Sequence, residues 1–273
     1  MNIASINPYL YFSANLNSPK LKFERQDFYV NMKGYGKNFR WADCVIKTAD
    51  STAKLIKNGF SFENILHNIT SGVIKANKKI NDLAKRLHTG ILKTPRKGWE
   101  SDSDWAKYDL ETPYGKFGLP KYLPYENRLD YVQSHPLDNP IDGIDLTRPV
   151  FGKNKKYLKH GDSEYVNNAL EYAMRRYKDF SKYLNKDINE NDMTNINNDI
   201  AEIRWVLVHA TPWDRGSDSI SNVLIRSMYK AAGIKSYPLK EGVSLDLEAY
   251  CNNLQDYKKN FADYFESPPE IIN

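Results

Sequence analysis

The stretch HATPWDRGSDSISN, residues 209–222, lies between two apolar runs, and its reading decides how the C-terminal half folds. Upstream, residues 200–209 (IAEIRWVLVH) are strongly apolar and read as a buried helix. Downstream, Ile220, Val223, Leu224, Met228 and Ala231 recur at three- and four-residue steps and mark a second helix, stopped by Gly233. Between them Pro212 ends the first helix, because its ring removes an N–H and clashes with the preceding turn. Gly216, Ser217, Asp218 and Ser219 then supply the start of the second. Backbone N–H groups at such a start, with the helix dipole behind them, hold an anion readily. Arg215 adds a planar fork suited to phosphate or carboxylate. In that reading the turn is a phosphate cradle. In the plainer one Arg215 pairs with a nearby acid and Ser217 or Asp218 caps the helix. Spacing by itself favours the plainer reading.

Two further residues bear on chemistry. His209 ends the apolar segment, where a satisfied core histidine and a general base or substrate contact are the competing roles. Asp246, in GVSLDLEAY, opens the last helical pattern. A carboxylate there pairs with the helix dipole or is aimed at a site shared with Arg215. The other histidines (67, 88, 135 and 160) have no metal-ligand spacing, and two cysteines, Cys44 and Cys251, cannot make a four-thiolate zinc site. No metal is expected, and both cysteines read as buried thiols.

The rest of the chain is organised around helical periodicity. From Trp41, Ala42, Val45, Ile46, Ala49, Ala53 and Ile56 form one apolar face, stopped at Asn58-Gly59. Ser61 caps a second helix whose face runs from Phe62 to Leu87. Val166, Leu170, Ala173, Tyr177, Phe180 and Leu184 mark a helix capped at Asp162-Ser163. The Asn/Asp-rich segment 185–199 reads as a loop, and Leu245 to Phe265 as one final helix before Pro268-Pro269. Residues 93–161, rich in Pro, Gly and aromatics, read as irregular structure with short strands, an insertion or upper lobe. The fold class is mainly α. Residues 1–38 read as a flexible leader and 39–267 as a single domain.

Composition narrows the partners. A net charge of +5 over 273 residues is only mildly basic, and the densest basic run, Lys75 to Arg86, is broken by Asn, Asp and Leu. That is a solvated helix face and gives no footprint for nucleic acid. No apolar run approaches the roughly 20 residues of a membrane span. The start, MNIASINPYLYFSANLN, lacks the basic and apolar regions of a secretory signal, and it does not begin Met-Gly, so N-myristoylation is not expected. An Asn/Ser-rich start suits a type III secretion leader.

Taken in order, the C-terminal motifs resemble the Fic/AvrB superfamily, the Fido fold, in which a turn between two helices holds phosphates. The AMP-transferring Fic branch carries His-Pro-Phe followed by Gly-Asn-Gly-Arg. This chain has Thr211-Pro212-Trp213 and Gly216-Ser217-Asp218-Ser219, so the motif His and Arg are absent, and His209 is two positions away. The chain is more similar to the AvrB-like type III effectors, which plant-pathogenic bacteria inject into host cells. RGS at 215–217, AAGI at 231–234, Pro238, Gly242 and DLEA at 246–249 follow the AvrB order. Upstream, GFSFENILHNIT at 59–70, Thr112-Pro113 with Lys116, and DSEYV at 162–166 resemble AvrB segments.

This resemblance implies a two-lobed, mainly helical fold with a nucleotide-binding pocket. The AvrB pocket residues carry over to Thr112, Arg215 and Asp246 as catalytic residues. Lys116, His209, Gly216 and Ser217 are candidate substrate contacts beside them, of which His209 does not carry over from the motif His. The implied activity is transfer of a deoxysugar such as rhamnose from a nucleotide-diphosphate donor to a hydroxyl of a host protein. The donor is then a co-substrate, and no separate cofactor or membrane anchor is expected. Secretion into the host cytoplasm follows from the same likeness. Two features depart from it: the acylated N-terminus of AvrB is not matched, and the segment 185–200 is shorter here. Nucleotidyl transfer from ATP and a catalytically silent host-protein binding module are the alternatives.

Overall fold

The computed structural model describes residues 21–31, 36–80, 100–102, 110–111, 113, 116–117, 150–151, 157–159, 163–213 and 216–272. Among these, helices dominate: α1 (Phe39–Lys57), α2 (Phe62–Ile80), α3 (Ser163–Phe180), α4 (Glu190–Ala210), α5 (Ser217–Ala231), α6 (Leu245–Cys251) and α7 (Leu254–Asn260). The expected helical class therefore holds. Strands are short. β1 (Glu100–Asp102), β5 (Tyr157–Lys159) and β4 (Val150–Phe151) form an antiparallel sheet in that order. β2 (Leu110–Glu111) and β3 (Lys116–Phe117) pair as a hairpin, and β6 (Ile234–Lys235) pairs with β7 (Glu270–Ile271).

The core is built around α4 and α5. Every residue from Ile200 to Ala210 is buried, as is every residue from Ile220 to Tyr229. A helix apolar on all sides must be surrounded, and it is: α3, α5, α6 and α7 pack on α4, while α1 and α2 cover α5. Buried polar groups in these helices need partners inside the protein. Glu202 receives Lys258 at 2.7 Å and the hydroxyl of Tyr172, which ties α7 and α3 to α4. Ser227 donates to Val223 O at 2.6 Å.

Where the structure departs from the sequence reading, local chemistry gives the reason. The 185–199 segment is not a loop throughout. Asn189 accepts from Asp192 N at 2.9 Å and Asp192 reaches back, a capping box that starts α4 at Glu190. Ile196 and Ile200 then continue the buried face, so the apolar core of α4 is its C-terminal half only. The expected single C-terminal helix is broken at Asn252, which is extended, and Asn253 caps α7 afresh. Residues 21–31, placed by sequence in the leader, pack on the body. Phe28, Tyr29 and Val30 are buried, Lys230 binds Leu21 O, and Gly242 N donates to Asn31 O at 2.9 Å. Cys251 is buried, but Cys44 is only partly so. Residues 1–20 and most of 93–161 lie outside the described residues.

α1 and α2 approach closely at Gly72. A Cβ there would lie 2.2 Å from Thr48 Oγ1 and 2.8 Å from Thr48 Cβ. In an isolated helix Gly→Ala gains about 1 kcal/mol. Here the clash is with the root of a side chain, so Gly72→Ala is expected to destabilise by about 1–3 kcal/mol, the range for overpacking. Urea unfolding checks this; a rise in midpoint would refute the close approach.

Candidate functional site

The turn between α4 and α5 is shaped by two residues with positive φ. Thr211, at the C-cap of α4, has φ 38° and ψ 61°, and Gly216, the N-cap of α5, has φ 86°. The first is uncommon for a β-branched residue and is forced by Pro212, which cannot continue the helix. The second is the conformation glycine adopts without penalty. Trp213 is buried, and its backbone is closed onto α5 by Ser217, whose Oγ donates to Trp213 O at 3.1 Å. Ser217 therefore braces the turn with its hydroxyl and does not cap the helix. Gly216 offers no side-chain acceptor either, so among the described residues no side chain caps the N-terminus of α5. Its first-turn N–H groups are those that a helix leaves without intrahelical partners. Asp214, Arg215 and Thr112 lie outside the described residues.

Asp246 is brought to this turn by a residue that sequence reading did not single out. Arg204, on α4, is fully buried. Its Nη2 donates to Asp218 Oδ1, on the first turn of α5, and to Asp246 Oδ1 at 2.5 Å, on the first turn of α6. Its Nη1 donates to the Asp218 carbonyl at 3.2 Å. One nitrogen thus gathers two carboxylates from two helices. The side chains of Asp218 and Asp246 remain 36% and 29% exposed, so both meet water on the side away from Arg204. Asp218 is consequently an ion-pair partner, not the helix cap that its position suggested.

The electrostatics follow from this crowding. Partial enclosure, then the like charge of Asp218, raise the pKa of the Asp246 carboxyl, against the pull of Arg204. Burial alone would lower the affinity of Arg204 for its proton, but Asp246 and Asp218 outweigh it and hold the guanidinium charged. Tyr257, on α7, belongs to the same neighbourhood. Burial pushes its hydroxyl well above the usual range, and that hydroxyl donates to Leu245 O at 3.3 Å.

The remaining sequence candidates fall into place around this cluster. β3, which carries Lys116, packs against α6. Pro113 Cγ lies 3.8 Å from the position a Gly242 Cβ would take, which sets the β2–β3 turn beside the loop leading into α6. His209 is 4% exposed, its ring 3.8 Å from that of Trp205 and its Nδ1 2.9 Å from Trp205 O. Burial lowers its pKa to about 4, so it is neutral at physiological pH. No group of three metal-binding side chains occurs among the described residues. On the far side of Trp213, a groove of about 680 Å³ runs between α2 and α3, lined by Leu66, Leu170, Met174 and Trp213.

With this geometry in place, comparison with known proteins is informative. Residues 145–268 match the model of the AvrB/AvrC family of avirulence proteins, to which this part of the chain is similar. The matched range contains α3 to α7, the turn, Arg204, Asp218 and Asp246. It also covers the 162–166, 215–217 and 231–249 motifs, whereas those at 59–70 and 112–116 lie upstream. No curated protein matches the chain. No helix among the described residues is long and apolar enough to cross a membrane.

Arg204→Met leaves two carboxylates packed together without their cation. The expected loss at pH 8 is about 3 kcal/mol, the low end for a broken buried ion pair because both carboxylates keep contact with water. The pH dependence has a defined sign. Asp246 already binds its proton more tightly than a free aspartate, and without Arg204 more tightly still. The folded variant then retains stability at low pH and loses it as pH rises through that raised pKa. Urea unfolding at pH 5 and pH 8 should show a smaller deficit at pH 5; an equal deficit would mean that Arg204 acts by packing alone.

Proposed function

We propose that the chain is an effector enzyme of the AvrB type that transfers a sugar, a deoxysugar such as rhamnose, from a nucleotide-diphosphate donor to a host-protein hydroxyl. The observation that carries the reading is the convergence of Asp246 with the N-terminus of α5 through Arg204. A transferase of this kind needs a positive cradle for a leaving diphosphate and a carboxylate beside it. The N–H groups of Ser217 and Asp218, with Arg215, are assigned to the diphosphate, where negative charge grows as the glycosidic bond breaks. Gly216 lets the backbone come close to it. The acceptor oxygen attacks the anomeric carbon, the bond to the diphosphate oxygen breaks, and the acceptor proton passes to Asp246. A carboxyl whose pKa is raised by its surroundings suits that step. Thr112 and Lys116 are assigned to donor and acceptor contacts from the β2–β3 side, and His209 to the floor of the pocket. The two-lobed Fido arrangement, delivery by type III secretion and action in the host cytoplasm belong to the same proposal.

Transfer of AMP from ATP is the less favoured chemistry. It uses an imidazole at the position occupied here by Thr211, and His209 is turned onto Trp205 within the core.

Calorimetry with ATP, ADP, UDP-sugars and dTDP- or UDP-rhamnose tests the reading. A nucleotide sugar should bind selectively, and Arg215→Ala should abolish binding while the fold persists. Asp246→Ala should lose turnover but keep most donor affinity. Thr112→Ala should weaken the site by about 1 kcal/mol, one neutral hydrogen bond. Absence of binding across the whole panel would replace the enzyme by a host-protein binding module, and undiminished product from Asp246→Ala would remove that residue from the chemistry.

A further inference from the structure

The side chain of Asp218 has no part in the roles assigned so far, yet it shares a single nitrogen of Arg204 with Asp246. Two carboxylate oxygens on one donor nitrogen cannot be far apart, and one guanidinium charge cannot neutralise both. Among the described residues, the groups facing them are few. α4 contributes Arg204, α5 Asp218, α6 Asp246 and Glu248, and α7 Tyr257. Glu248 is fully buried and turned to Asn252, whose Nδ2 donates to its Oε2 at 3.1 Å. The Tyr257 hydroxyl donates to Leu245 O at 3.3 Å and also lies beside Arg204. From β3, Lys116 is the charged residue of the strand packed on α6. Arg204 is the one cation among the described side chains in contact with the pair.

We propose that Asp218 is a positioning residue of this site, whose carboxylate, held beside Asp246 on one nitrogen of Arg204, makes Asp246 the base in the transfer step. This rests on the transferase reading for its consequence, but the coupling of the two charges is a property of the folded chain. With one proton bound, the pair and Arg204 are together neutral. Loss of that proton leaves a net negative charge beside the turn, which the second carboxylate makes costly. A lone aspartate ion-paired to arginine would be a weak base, ionised far below neutral pH. Asp218 supplies the repulsion that keeps Asp246 basic enough to accept a hydroxyl proton, and Arg204 fixes the geometry in which it does so. In balance, the acceptor O–H gives its proton to ionised Asp246, and the electron pair of the broken glycosidic bond leaves on the diphosphate.

Carboxyl-carbon NMR titration of the full chain, labelled at aspartate, reads this without any donor. The wild type and Asp218→Asn are compared. Asn keeps an oxygen for Arg204 and removes the charge, so the fold is expected to persist; Asp218→Ser is the second variant should Asn fail to fold. The proposal expects the Asp246 midpoint to fall by about one pH unit or more when Asp218 loses its charge. An unchanged midpoint in a folded variant overturns it. The same variant should carry the acid limb of kcat/KM to lower pH with donor KM little changed; a midpoint that moves while that limb does not would overturn the catalytic part. If no nucleotide sugar is turned over at all, the transferase reading fails, and the carboxyl titration still decides whether Asp218 acts on Asp246.

Discussion

The constraint on which the rest of the site depends is the burial of Arg204. A guanidinium in the fully enclosed half of α4 must meet negative charge, because an unpaired buried ion is far too costly to keep. Its partners come from the first turns of the next two helices in the chain, at Asp218 and Asp246. Satisfying one cation therefore sets the start of α5 against the start of α6. The chain between them, through β6 and the loop to Gly242, has its course bounded by that contact. The same contact sets a carboxylate beside a helix N-terminus. Structural necessity and chemical opportunity have one origin here.

How much of this was legible in the sequence depended on the distance over which a residue acts. The helical faces were readable because periodicity is local: Val45, Ala49, Ala53 and Ile56 in α1, and Val166, Ala173, Tyr177 and Phe180 in α3, lie buried as their spacing requires. The end of α4 at Pro212 was readable for the same reason. The start of α4 was misread because its Asn/Asp content resembles a loop, although Asn189 and Asp192 stand at capping-box spacing. The break at Asn252 was hidden because the apolar residues on either side keep helical phase. The site was legible only in part. Asp246, Gly216 and Ser217 were singled out, but the connection between them runs through Arg204, 42 residues from Asp246. A signal for it did exist. An arginine inside IAEIRWVLVH, a helix apolar on every side, has to find counter-charges from elsewhere, and the nearest acidic residues that open later helices are Asp218 and Asp246.

The turn itself illustrates why backbone chemistry and side-chain chemistry must be read together. Thr211 is held in the left-handed region, where a β-branched residue is strained. Such strain survives when neighbours over-determine it. Pro212 follows it, and buried Trp213 is locked onto Ser217. Ser217 spends its hydroxyl on that lock, which leaves the opening of α5 to its backbone N–H groups. Had Ser217 capped its own helix, the same sequence would have produced a self-satisfied terminus.

A second buried arginine shows what distinguishes a structural cation from one at a reactive site. Arg226, on α5, is as enclosed as Arg204, but it donates to the Tyr237 carbonyl and lies over the Phe265 ring at 5.0 Å. Burial lowers its pKa to about 10, with Asp27 as its main electrostatic support. Asp27 is itself buried, and its Oδ2 is engaged by Glu24 N at 2.7 Å. Asp27 and Phe265 beside Arg226 are closed off from solvent, and its role is to hold residues 21–31 and the C-terminal segment to α5. Arg204 faces the opposite arrangement: an enclosed cation with two partners that look outward. A charge that is buried while its counter-charges meet water transmits order from the core to groups that can react, and that asymmetry is what the proposed transfer chemistry would use at the Asp218–Asp246 edge of the core.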